Sequence, residues 1–89
     1  MDTNVAPLTT VSRGGEAVEF EIEIRGKRLP CSIAREALED HFWLARQADE
    51  ARLLRTFADG RKRIVAIAER KARRLSAEAI KLTSLDFAR

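Results

Sequence analysis

The chain holds one cysteine and one histidine, Cys31 and His41, and a thiol beside an imidazole is the first nucleophile–base pair to consider. Cys31 falls on the inward phase of an alternating segment, where a thiol behaves as a small apolar group. His41 stands about two turns into an expected helix, and no glycine-rich or oxyanion-type loop accompanies either residue. Both read as structural. One Cys and one His also exclude an internal disulfide and the usual zinc frameworks. Glu19, Glu21 and Glu23 share a strand face, but alternate strand residues stand about 7 Å apart, too far to hold one cation without other ligands. A solvated outer face is the better reading. The chain is expected to be non-enzymatic, with no catalytic residue, metal, cofactor or small-molecule substrate.

The strongest functional signal is a row of cations. Arg52, Arg55, Lys62, Arg63, Arg70, Arg73 and Arg74 fall within about 120° of arc on one helical wheel, away from the apolar sector. Such a row can neutralise phosphates along a nucleic acid backbone. Against that, tyrosine is absent, and no helix-turn-helix turn, zinc knuckle or aromatic stacking platform accompanies the row. An exposed helix face is ordinarily charged. Arg61 differs, because it falls inside the apolar sector, between Leu54 and Ala68. It reads as a snorkelling side chain or as half of an ion pair with Asp40, Asp86 or a partner subunit.

Charge is unevenly spread. Residues 1–51 carry six basic and ten acidic side chains, net −4; residues 52–75 carry nine and two, net +7; residues 76–89 are neutral. A basic segment beside an acidic half fits an anionic partner or a complementary self-contact. With 45% hydrophobic and 35% charged residues, the composition is that of one small soluble domain. A chain of this size buries roughly 60–65% of its unfolded surface, which leaves little room for a deep cleft. No stretch approaches about eighteen apolar residues, so no membrane partner is expected. No secretory leader pattern stands at the start, and the location expected is the cytoplasm.

These groups need elements to hold them. From Val18 to Arg25 apolar and charged residues alternate, so Val18, Phe20, Ile22 and Ile24 face inward and Glu19, Glu21, Glu23 and Arg25 outward. Gly26-Lys27 suits a two-residue type II′ turn. A return strand, Arg28–Ser32, turns Leu29 and Cys31 inward and contains Pro30, which places it at an edge or strand end. Ser32 is a candidate N-cap for a helix from Ile33 to about Leu44 that presents Ile33, Ala37, Leu38 and Phe42 inward. Asp49 caps a second helix, expected to run unbroken to about Leu75. Leu53 and Phe57 set an apolar phase that Ile64 and Ala68 keep across Gly60, and an interior glycine costs only about 1 kcal/mol. Ile80 and Leu82, with Ser84 at the limit, alternate as a closing strand. Residues 1–15 read as a tail with at most a short irregular edge strand, and residues 16–89 as the single domain.

Phe20 to Ile24, Gly26, Cys31-Ser32, Ala37-Leu38, then Phe57, Arg61 and Ile64 stand in an order that resembles a family of small bacterial proteins known as domain of unknown function 1488. The likeness covers about residues 18–87 and rests on order and spacing. It implies an α+β fold and supplies no activity, cofactor or catalytic residue. The expected architecture is two-layer α+β, ββααβ, with two helices on one face of a small antiparallel sheet. The expected function is a binding or interaction module acting as a homodimer, with Trp43 at the contact, since a short sheet leaves edges that a second copy can cover. Sequence-independent nucleic acid binding by the second helix is the alternative.

Overall fold

The computed structural model describes residues 9–75 and 78–88. The elements are β1 (Thr10–Val11), a 3-10 turn (Arg13–Gly15), β2 (Ala17–Ile24), β3 (Lys27–Ala34), α1 (Arg35–His41), α2 (Glu50–Asp59), α3 (Arg61–Leu75), β4 (Ile80–Leu82) and a second 3-10 turn (Ser84–Phe87). The class is α+β, as expected. Residues 1–8 of the expected tail lie outside the described residues, while Thr10 and Val11 pair with Glu19 and Val18 as the edge strand.

The alternation of β2 is realised: Val18, Phe20 and Ile22 are buried, and the register pairs Val18 with Ile33 and Phe20 with Cys31. Ile24 pairs with Lys27, which makes the two-residue turn Arg25-Gly26 rather than Gly26-Lys27. Both have positive φ, 53° and 79°, as a type I′ turn requires to match strand twist. Strand order is β1-β2-β3-β4. The sheet is mixed rather than wholly antiparallel, because β4 lies parallel to β3, with Ile80 beside Cys31 and Leu82 beside Ile33. The helices between β3 and β4 form the crossover that a parallel pair needs.

Those helices differ from expectation in two places. Ser32 does not cap α1: β3 continues through it to Ala34, and Ile33 is buried between Val18 and Leu82. Completing this ladder outweighs a hydroxyl cap worth about 1 kcal/mol. α1 instead starts at Arg35, whose N–H donates to the Glu16 carbonyl at 2.8 Å. The second difference is at Gly60, where α2 ends and α3 begins. The Gly60 N–H donates to the carbonyls of Thr56 and Phe57, and its own carbonyl accepts from the Ile64 N–H. Asp49 does cap α2, its Oδ1 accepting from the Arg52 N–H at 3.0 Å. The apolar phase survives the break, since Leu53, Phe57, Ile64, Ala68 and Ala72 are all buried. Phe20 meets Phe57 at the centre, with ring centroids 5.0 Å apart. Each such side chain contributes roughly 1.5–3 kcal/mol on burial.

Candidate interaction surface

The thiol sits where the strand pattern places it. Cys31 is 5% exposed, and its Sγ–H donates to the Leu29 carbonyl at 3.5 Å. Burial pushes its pKa up to about 11, helped by the nearby Glu21 charge and opposed by a backbone hydrogen bond from Ile22. At neutral pH it is therefore a thiol, not a thiolate.

His41 faces a different neighbourhood. Its ring stacks on Phe87 at 5.6 Å, and Nε2 lies 3.1 Å from the Ser84 carbonyl and 3.2 Å from the Ser84 hydroxyl. A carbonyl only accepts, so Nε2 carries the proton. The Ser84 Oγ–H in turn donates to Asp40 Oδ2 at 2.6 Å. Ser, His and Asp are thus together, but the serine proton goes to the aspartate and the imidazole presents a donor. This is a latch that ties the C-terminal 3-10 turn to α1, and the imidazole is not placed as the base for the hydroxyl. Among the described residues no group of three or more His, Cys, Asp or Glu is placed to hold a metal ion. Among the described residues the outward glutamates of β2 have one ion-pair neighbour, Arg28, 3.8 Å from Glu21. An exposed pair of this kind contributes at most about 1 kcal/mol.

All seven cations of the expected row are exposed, but the break at Gly60 divides them. Arg52 and Arg55 belong to α2, and Lys62, Arg63, Arg70, Arg73 and Arg74 to α3. Three of the latter are brought together. Arg63, Arg70 and Arg74 line a cleft of about 700 Å³ between α3 and the C-terminal turn, with Ile67, Leu85 and Phe87 as its apolar lining. Lys71 closes one wall. Its Nζ pairs with Asp86 at 3.1 Å and donates to the Lys81 carbonyl at 2.7 Å. Asp86 is itself fixed by accepting from the Thr83 N–H. Lys62 and Arg73 do not line this cleft.

The first turn of α3, Arg61-Lys62-Arg63, opposes the helix dipole. Aromatic rings offset part of that cost. Arg63 lies 5.1 Å from the Phe42 ring centroid and 5.7 Å from that of Phe87, and Arg61 lies 5.8 Å from that of Phe57. The ion pair considered for Arg61 does not form among the described residues, because Asp40 binds Ser84 and Asp86 binds Lys71.

Two large apolar side chains are almost fully exposed. Trp43 is 93% exposed and Leu85 is 83% exposed. Trp43 follows α1 with φ of 61°, the left-handed position that usually ends a helix with glycine. Around it the Leu44 N–H returns to the Leu38 carbonyl at 3.1 Å, and Leu44 and Leu38 are both buried. The turn thus pushes the indole outward while its neighbours pack. Leu85 follows Ser84 of the latch. Sequence reasoning missed Leu85, although Thr83 and Asp86 have capping-box spacing that marked a helical turn there. It also missed Arg35, whose guanidinium joins Glu39 at 3.0 Å, Arg46 O at 2.7 Å, Ala48 O at 2.8 Å and Gly15 O at 3.4 Å.

A mixed sheet, a three-helix layer and the order of elements along the chain define a small α+β domain. The chain belongs to the family described as Protein of unknown function (DUF1488), whose pattern matches residues 7–82. The match confirms the resemblance seen in the sequence, and the turn carrying Leu85 lies beyond it. No curated protein and no solved structure matches the chain. No described helix is long and apolar enough to cross a membrane.

Proposed function

We propose that this chain is a non-enzymatic binding module that works as a homo-oligomer, a homodimer in its simplest form, in the bacterial cytoplasm. One observation carries the reading: Trp43 is 93% exposed on a backbone conformation that disfavours any residue but glycine. A large indole held in water at a strained position has no folding role to offset its cost. Tryptophan is among the residues most enriched where partners dock. A second copy covering Trp43 would remove that surface from water, and a two-fold axis would bury both indoles at once.

Light scattering tests this. The wild-type chain is expected at twice the protomer mass at micromolar concentration, and Trp43→Ser at the protomer mass with unchanged circular dichroism. A wild-type monomer at high concentration would remove the proposal.

Sequence-independent nucleic acid binding is the second reading, favoured by the exposure of Arg52, Arg55, Lys62, Arg63, Arg70, Arg73 and Arg74. The split of the row at Gly60 and the acidic outer sheet face weigh against it. It requires affinity for DNA or RNA that falls steeply with salt and flattens in the Arg63→Gln/Arg70→Gln/Arg74→Gln variant.

A further inference from the structure

The cleft between α3 and the C-terminal turn combines two chemistries. Its cations do not neutralise one another's surroundings: among the described residues the ion pairs are Arg28–Glu21, Arg35–Glu39 and Lys71–Asp86. Arg63, Arg70 and Arg74 are in none of them, so three guanidinium groups line the cleft without an ion-pair partner, while the carboxylate of Asp86 in its wall is held by Lys71. Ile67, Leu85 and Phe87 line the same cleft. We infer that this cleft is a docking site for an acidic peptide segment of another protein, one that carries an apolar side chain among its carboxylates. The inference rests on the chain being an interaction module and adds a partner other than a second copy.

Spacing selects the ligand. Along α3, Arg63 and Arg70 stand about 10 Å apart and Arg70 and Arg74 about 6 Å apart, from the rise per helical residue. A compact anion such as a single phosphate cannot reach all three. An extended peptide advances about 3.3 Å per residue and turns alternate side chains to opposite faces, so carboxylates at its first, fifth and seventh positions share one face at spacings of about 13 and 7 Å, within reach of the long arginine side chains. A side chain between them then faces Ile67 and Leu85. Guanidinium groups hold carboxylates in a two-pronged geometry that lysine does not offer.

Two other occupants fit less well. The chain's own acidic patch, Glu19, Glu21 and Glu23, lies on the outer sheet face, away from the helices. Joining that face of one copy to the cleft of the next gives an open, non-closing chain of copies. Nucleic acid needs ring faces for its bases, whereas Phe87 stacks against His41 and meets Phe42 edge-on, with Arg63 over both phenylalanines.

The test is fluorescence anisotropy with a dye-labelled heptapeptide that has glutamate at positions one, five and seven, leucine at position three and serine at the even positions. Parallel arms use its glutamine counterpart, its serine-for-leucine counterpart and a single-stranded thymidine 12-mer. The glutamate–leucine peptide is expected to bind. Affinity should fall at least about tenfold in either counterpart, and by a similar factor in Arg70→Gln/Arg74→Gln and in Leu85→Ser. Both variants alter exposed side chains, so circular dichroism should be unchanged. Equal binding of the glutamine peptide, unchanged binding in the arginine variant, no peptide binding, or binding of the oligonucleotide alone would each overturn the assignment. Light scattering of the same samples reads self-association separately, so failure of the peptide leaves the Trp43 reading standing on its own result.

Discussion

Phe42 occupies the space that a side chain at Gly60 would need: a Cβ built on Gly60 would stand 2.5 Å from Phe42 Cε2. The same ring meets Phe87 edge-on at 5.4 Å and lies under Arg63, so it has little freedom to move aside. The break between α2 and α3 is therefore where the residue that follows α1 wedges an aromatic ring against the backbone. Gly60 has φ of −103°, so the requirement is for space rather than for a special conformation.

Gly60→Ala is accordingly expected to destabilise the fold by about 1–3 kcal/mol, the usual range for overpacking. Helix propensity alone predicts a gain of about 1 kcal/mol for the same change. Urea denaturation decides between them, and a stabilised variant would show that Phe42 relaxes without cost.

Trp43→Gly should act in the opposite sense. Glycine removes the penalty of a left-handed backbone and loses no buried contact, so the monomeric fold should gain up to about 1 kcal/mol. A loss of stability, measured by denaturation at a concentration where the chain is monomeric, would mean that the indole packs on its own fold.

Arg35 is expected to be sensitive even to a conservative change. Lysine cannot span Glu39, Arg46, Ala48 and Gly15 together, and charged hydrogen bonds of this kind contribute roughly 1.5–3 kcal/mol each when made. Arg35→Lys should therefore cost about 1–3 kcal/mol. A thermal shift indistinguishable from wild type would show that solvent replaces the clasp.

Cys31 sets a pH dependence. Its thiol is raised in the fold from 9.0 to about 11, and the unfolded chain releases the proton first. Its contribution is therefore fully present below pH 9.0 and is lost as pH rises toward 11. The slope approaches about 1.4 kcal/mol per pH unit in that window. Comparing wild type with Cys31→Ala isolates it from lysine titration, and parallel stability curves for the two proteins would contradict the burial argument.

The parts of this fold legible in the sequence are those set by local repetition. The alternation of Val18 to Ile24, the inward Cys31 and the cap at Asp49 follow from one segment read alone. The parts that were not legible depend on contacts between distant residues. Gly60 reads as tolerated within a helix until Phe42 is placed beside it. Ser32 reads as a cap until Ile33 is seen between Val18 and Leu82. The cations of α3 were visible as a row on a wheel. Their division into a cleft of three arginines depends on the C-terminal turn, which is held in place by Lys71–Asp86 and His41–Ser84, pairs separated by 15 and 43 positions.

The claim that Trp43 is an association surface has a direct readout, because Trp43 is the only tryptophan and tyrosine is absent. Emission recorded across a dilution series into the nanomolar range reports that one indole alone. The account predicts a blue-shifted, quencher-protected emission at high concentration that moves to the red on dilution, in step with the fall in mass by light scattering. An emission maximum that stays red and fully quenchable at every concentration would contradict it.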